Sequence, residues 1–324
     1  VFEQKIAALE HGDKALVVSS GMAAITTAIL SCVSAGDHII MVRTAYGPAR
    51  GALSYLERFG ISHTLVHGTE LEDFVAAIST NTRVIYLESP SSSIFELQDL
   101  RAVSALAREH GITTIIDNTC ATPIFQQPLD LGIDLVVHSA TKYFGGHSDV
   151  VAGVIIGRGK RIEDIFRRER PIFGNAAPPM QAWLLQRGLR TLPVRIRAHE
   201  KSALTVAKYL EEHPAVEKVY YTALPSFPQR KLYLSQMTGS GGLLSFKPLG
   251  TYEQRAEFVK KLNVFKFAPS WGGYESLVYP LGALTPPDEN SINAFDGGVI
   301  RLFVGLEDIS TLLEDLDQAL HVLI

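Results

Sequence analysis

Cysteine is scarce in this chain: 324 residues contain only Cys32 and Cys120, outside any CxxC or Cys/His spacing. That excludes a disulfide framework and offers no zinc site, so no metal is expected. A basic excess is also missing. Lys and Arg number 30 against 34 Asp and Glu, a formal charge of −4 with a pI near 6.2, which argues against nucleic acid as a partner. No apolar run approaches the ~20 residues needed to span a bilayer, so a membrane partner is not expected either. No secretory signal is visible at the start. The cysteine usage reads as a reducing compartment, with the cytoplasm as default. Neither a G-x-G-x-x-G fingerprint nor a P-loop is present, which removes a dinucleotide-dependent oxidoreductase from consideration.

What is present is a chain 46% hydrophobic and 20% charged, a globular composition long enough for one large or two medium domains. The pattern Val1 to Glu10 is helical and has no capping residue before it, which predicts further residues upstream. Strands are predicted at 14–18, 38–42, 63–66, 83–87, 112–116, 134–137 and 151–156, with an alanine-rich helix opening from the polar turn within 19–27 and further helices near 48 onward, at 71–78 and at 97–110. This alternation predicts α/β architecture, a mainly parallel sheet flanked by helices. Gly157-Arg158-Gly159-Lys160 lacks P-loop spacing and reads as a turn. Pro178 to Leu192 reads as helix, and Pro193 marks a boundary. We therefore expect a large domain over 1–192 and a smaller α+β domain over 193–324. The latter is expected to hold a long helix to about His213, strands at 216–221, 243–246 and 299–304, and helices at 252–262 and from Asp308.

The chemistry is concentrated at predicted strand ends, where open α/β sheets bind ligands. Lys142 follows the strand at 134–137 within Ser139-Ala140-Thr141-Lys142. A desolvated lysine there is suited to an imine with a carbonyl cofactor. Asp117 ends a β-branched run and needs a partner if buried. Ser20-Gly21-Met22 opens a helix whose free N–H groups can hold a phosphate, and Tyr46 can stack on an aromatic ring. Each has an ordinary reading alone: a surface lysine, a turn-capping Asp, a Ser N-cap, a loop tyrosine. Cys120 reads as a packed thiol. Together they match one ligand, pyridoxal 5′-phosphate (PLP). It needs a lysine for its aldehyde, an acid for its ring nitrogen and donors for its phosphate, here Ser20, Gly21, Met22, Ser139 and Thr141.

The chain resembles the Cys/Met-metabolism family of PLP enzymes along essentially its whole length. The blocks that carry this include Ser20-Gly21-Met22-Ala23-Ala24, Thr44-Ala45-Tyr46, Glu88-Ser89-Pro90, Asp117-Asn118-Thr119, Ala140-Thr141-Lys142-Tyr143, Ser270-Trp271-Gly272-Gly273-Tyr274-Glu275 and Arg301-Leu302-Phe303-Val304-Gly305-Leu306-Glu307. Within the family it is most similar to the bacterial cystathionine β-lyase branch. The resemblance implies the aspartate-aminotransferase-like fold (fold type I) and homotetramers built from dimers. It implies that Lys142 forms the Schiff base and acts as base, that Asp117 pairs with the ring nitrogen, and that Tyr46 stacks on the ring and shares in proton delivery. Gly21, Met22, Ser139 and Thr141 would hold the phosphate. Arg301 would clamp the substrate α-carboxylate, with Ser270 and Trp271 lining that corner.

There are three departures. Ser92-Ser93 stands where many members have Asn-Pro, so Ser92 would replace an asparagine that touches the cofactor's ring oxygen. Cys120 stands at an often aromatic position. A Tyr-x-Arg segment that reaches a neighbouring subunit's phosphate falls upstream of Val1. The implied reaction is β-elimination of L-cystathionine to homocysteine, pyruvate and ammonia, placing the chain in transsulfuration and methionine biosynthesis. The alternatives are γ-elimination or γ-replacement with the same residues, and a PLP-binding protein without turnover.

Overall fold

A computed structural model describes residues 1–284 and 298–324. Strands β1 (Lys14–Val18), β2 (His38–Val42), β3 (Ser62–Val66), β4 (Thr82–Glu88), β5 (Thr113–Asp117), β6 (Leu135–Ser139) and β7 (Gly153–Gly157) form a seven-stranded sheet. Their order is β1-β7-β6-β5-β4-β2-β3. Pairs β3/β2, β2/β4, β4/β5 and β5/β6 are parallel, and β7 runs antiparallel to both its neighbours. The central strands are apolar on both faces, as sheets covered by helices on two sides require. All five residues of β2 and of β7 are buried.

Helices α1 (Phe2–Leu9), α2 (Gly21–Leu30), α3 (Gly47–Leu56), α4 (Leu71–Ala77) and α5 (Leu100–Glu109) follow the expected alternation. Local chemistry sets their ends. Ser20 caps α2 by accepting the Ala23 N–H at 3.1 Å, and Pro48 opens α3. Helix α5 starts at Leu100 rather than at Leu97. Asp99 caps it through the Ala102 N–H, and the Leu97 N–H and carbonyl are both taken by the Gln229 amide at 2.8 Å.

A second sheet has the order β10-β11-β12-β9-β8, from β8 (Val216–Tyr220), β9 (Leu243–Pro248), β10 (Lys266–Phe267), β11 (Leu277–Leu281) and β12 (Val299–Phe303). Only β10/β11 is parallel. Strands β10 and β11 were not foreseen. The first has two residues, and Pro280 in β11 argues against a strand. That proline is tolerated because β10 pairs with β11 only at Leu277 and Val278. A short helix, Arg230–Gln236, was also unforeseen.

The helix Leu192–Glu212 joins two cores. Leu192 and Ile196 pack with the large sheet, whereas Ala203, Val206, Ala207 and Leu210 pack with the small one. Between the sheets, Tyr143 Oη accepts the Gly242 N–H at 2.7 Å. Gly272, at φ +84°, lies so close that a Cβ would come within 2.9 Å of the Lys142 carbonyl carbon and the Tyr143 nitrogen. A side chain there meets both a disfavoured backbone region and a wall of main chain. Gly272→Ala is therefore expected to lower Tm by at least ~2 °C, from a strain of about 1–3 kcal/mol. An unchanged Tm by calorimetry would show that the contact is not tight.

Candidate active site

The parallel strands β6, β5, β4 and β2 lie side by side, so their carboxyl ends line one edge in that order. These ends carry Ser139 with Lys142 just beyond, Asp117, Glu88, and the segment leading to Tyr46. They open into one cavity of about 260 Å³. Among the residues expected from the sequence, Ser20, Gly21, Met22, Tyr46, Ser92, Asp117, Ser139, Thr141, Lys142, Trp271 and Arg301 line it. Ser270 does not, but its hydroxyl accepts from the Lys142 Nζ at 2.9 Å.

Lys142 Nζ also sits 5.4 Å from the centre of the Trp271 ring, where a cation is attracted to the π face. Burial and the nearby Arg301 guanidinium lower its pKa to about 8, and Asp117 partly opposes them. The amine is thus easier to deprotonate than an ordinary lysine. The loop bearing it is fixed from below. Thr141 and Ala152 exchange hydrogen bonds at 3.1 and 3.2 Å, and the buried Arg195 donates to the carbonyls of Tyr143 and Gly188 at 2.8 and 2.9 Å.

Asp117 is buried, which raises its carboxyl pKa. Opposing this, its Oδ1 accepts both the Thr119 hydroxyl and the Thr119 N–H, the latter at 2.9 Å, and His138 and Lys142 favour the ionised form. Thr119 in turn accepts the Ser139 N–H at 2.8 Å, tying the β5 end to the β6 end. On β6, His138 bonds Glu10 at 2.6 Å with both side chains buried. The remaining carboxylate, Glu88, is the register partner of Asp117. Burial raises its pKa and the Asp117 charge adds to the rise.

Arg301, on β12, is buried and reaches the cavity across the sheet junction. Its Nη2 donates to the Pro269 carbonyl at 3.1 Å, and its guanidinium stands 5.6 Å from the Tyr279 ring centre. Tyr46 is half exposed. Burial of its hydroxyl and the Glu88 charge raise its pKa, so the phenol stays protonated at neutral pH.

In the same cavity, the start of α2 presents its free amides at Gly21 and Met22. A Cβ on Gly21 would come within 2.7 Å of Ser139 Oγ, so only glycine leaves this cradle open. Lysine, buried acid, guanidinium, tyrosine ring and helix amides thus fit a phosphorylated, aromatic carbonyl cofactor. The Ser20 Oγ accepts the Ala23 N–H of its own helix and keeps its proton for donation, whereas the Thr141 hydroxyl donates to the Ala152 carbonyl. One expectation is altered: the Ser92 hydroxyl does not point free into the cavity but donates to Glu88 Oε1.

Sequence reasoning gave no role to Glu88 or Thr119, though both lie in blocks that carry the resemblance. The available signal for Glu88 was an acid closing an apolar strand, the same one that singled out Asp117. Cys120 lines the cavity and burial raises its thiol, as befits a packed side chain.

The profile of the Cys/Met metabolism PLP-dependent enzymes matches residues 1–321. The L-methionine gamma-lyase of Porphyromonas gingivalis is 40% identical over 329 residues, covering 99% of this chain and 82% of that protein. The cystathionine beta-lyase MetC of Bacillus subtilis is 40% identical over 323 residues, covering 98% and 82%. The cystathionine gamma-lyase of the same organism is 38% identical over 324 residues, covering 98% and 85%. The crystal structure of metB from Corynebacterium glutamicum superposes with a TM-score of 0.94 at 33% identity, covering all of this chain and 84% of that one. With this fold and a cavity that suits the cofactor, the chain belongs to the Cys/Met metabolism family of PLP-dependent enzymes.

Proposed function

We propose that the protein is a carbon–sulfur lyase that cleaves L-cystathionine by β-elimination, releasing homocysteine, pyruvate and ammonia. The observation that carries a lyase reading is the convergence of Lys142, with its lowered pKa, on a cavity shared by Asp117 and Arg301. PLP, when bound, supplies an electron sink for negative charge at the substrate α-carbon. Lys142 holds the cofactor and, once freed, takes the α-proton as general base. Asp117 keeps the proton on the cofactor's ring nitrogen. Arg301 grips the α-carboxylate with its planar fork. Gly21 and Met22 offer amides to the phosphate, with Ser139 beside them. Lys142 or the protonated Tyr46 delivers a proton to the leaving sulfur.

Relatives named for three activities match at 38–40% identity, so β-elimination rests on the site's own residues. Ser92 in place of asparagine, and the Ser270-Trp271 pair beside Lys142, favour it over γ-elimination or γ-replacement. A cofactor-binding protein without turnover has no use for a buried guanidinium held at the substrate end.

We also propose that the chain works as a homotetramer. In its support, Phe166, Ile172, Phe173, Met180, Trp183 and Val194 are large apolar side chains left exposed within one stretch of chain.

The holoenzyme given L-cystathionine should form pyruvate with homocysteine; 2-oxobutyrate with cysteine would assign it to the γ-lyases instead. Lys142→Ala should lose at least ~1,000-fold in turnover, since it removes both anchor and base, and near-normal activity would refute its role. The reactive, neutral fraction of Lys142 grows as pH rises through about 8. PLP capture by cofactor-free protein, followed by absorbance, should accelerate across that range and level off above it. Arg301→Leu removes a repelling charge and should move the midpoint upward; a midpoint that stays or falls would contradict this electrostatic account. Trp183→Asp should shift the assembly towards smaller species in sedimentation, and an unchanged sedimentation coefficient would place the interface elsewhere.

A further inference from the structure

Glu88 has no task in the proposed reaction, yet its side chain is almost wholly buried at the cavity wall, 4% exposed. Two separate segments use its two oxygens. Oε2 accepts the Tyr46 N–H at 2.7 Å, from the turn between β2 and α3. Oε1 accepts the Ser92 hydroxyl, from the loop after β4. Tyr46 is 46% exposed, so packing alone holds it weakly. Its backbone is the entry to α3, a helix without a side-chain cap of its own. The carboxylate therefore supplies the partner that this helix start lacks. It does so from the strand beside Asp117, as that residue's register partner.

We propose that Glu88 is a positioning residue, a clamp that joins the Tyr46 turn to the Ser92 loop and thereby sets the tyrosine ring over the Asp117 side of the cavity. The chemistry of the position supports this. A buried carboxylate is costly, and here burial and the Asp117 charge both raise its pKa. A serine or asparagine would cap a helix with less penalty, but neither reaches across to a second loop. Ser92 stands where an asparagine is common in the family, and its short hydroxyl is turned to Glu88 instead of the cavity. The Ser92 loop is held from its other side too, where Ser245 of β9 donates to the Ser93 carbonyl at 2.7 Å. The clamp thus connects the tyrosine, through one loop, to the sheet that carries Arg301.

The inference rests on PLP as the occupant of the cavity and not on which thioether is cleaved. It is tested in the holoprotein by the visible circular dichroism of bound PLP and by PLP affinity on titration of cofactor-free protein. Glu88→Gln keeps an acceptor for the Tyr46 N–H and a polar partner for Ser92, and should stay within about threefold of the parent in affinity. Glu88→Ala should weaken PLP binding at least ~10-fold, as loss of both buried hydrogen bonds, to the Tyr46 N–H and the Ser92 hydroxyl, implies, and diminish the dichroic band. Ser92→Ala should fall between the two, and the double variant Glu88→Ala/Ser92→Ala should be no worse than Glu88→Ala alone. Parental dichroism and affinity in Glu88→Ala would overturn the clamp. If that variant does not fold, parental values in Ser92→Ala overturn it equally. A parent protein that binds PLP but forms no keto acid from cystathionine would refute the substrate reading alone, because neither readout needs turnover.

Discussion

Charge buried at the carboxyl edge of a parallel sheet is the constraint on which the rest of the site depends. Strands β6, β5, β4 and β2 end side by side, and the edge they form is shut off by helices and by the second sheet. A carboxylate placed there must find donors or lose its charge. Asp117 finds the Thr119 hydroxyl and amide, with His138 behind it. Glu88 finds the Tyr46 amide and Ser92. The same desolvation acts in the opposite sense on Lys142, where it combines with Arg301 to favour the neutral amine. One enclosure thus lowers the basicity of the lysine while hydrogen bonds keep an acid within reach of it. Burial sets the first effect and local donors the second.

The enclosure is completed from the small sheet. Ser270 and Trp271 meet the Lys142 amine directly, and Gly272 allows their loop to lie against the Lys142 backbone. Tyr143, next in sequence to Lys142, packs edge-on to Trp271 and accepts the Gly242 amide. Arg301 enters from β12 and is held in place by the Pro269 carbonyl. The reactive lysine is therefore positioned by two sheets at once. A shift of one against the other would move Ser270, Trp271 and Arg301 together relative to Asp117. Such coupling suits a site in which substrate carboxylate, cofactor ring and base must align within a fraction of an ångström.

Much of this was legible in the chain. The parallel sheet followed from repeated β-branched runs separated by helical spacing, and the seven strands of the large sheet lie within two residues of where periodicity placed them. Lys142, Asp117 and the start of α2 were legible as chemistry because each interrupts an apolar pattern at a strand end. The misses have physical reasons too. Strand β11 contains a proline that only its partly unpaired edge tolerates. Helix α5 starts three residues late because Gln229, far along the chain, takes the Leu97 backbone. Glu88 was visible as an acid after an apolar strand, but its two donors come from different loops.

The sequence by itself determined the order of the strands and helices in the large sheet, the location of the reactive groups at strand ends and the kinship that names the cofactor. These depend on local periodicity and on residue types in fixed blocks. Tertiary structure alone decided which groups meet. It alone brings Arg301 and the Ser270 loop from the side of the small sheet to Lys142 of the large one, pairs Glu88 with Asp117 across a register, and engages the Ser92 hydroxyl with Glu88. Each of those depends on distances between residues far apart in the chain, and on burial, which is a property of the packed whole and of no single segment.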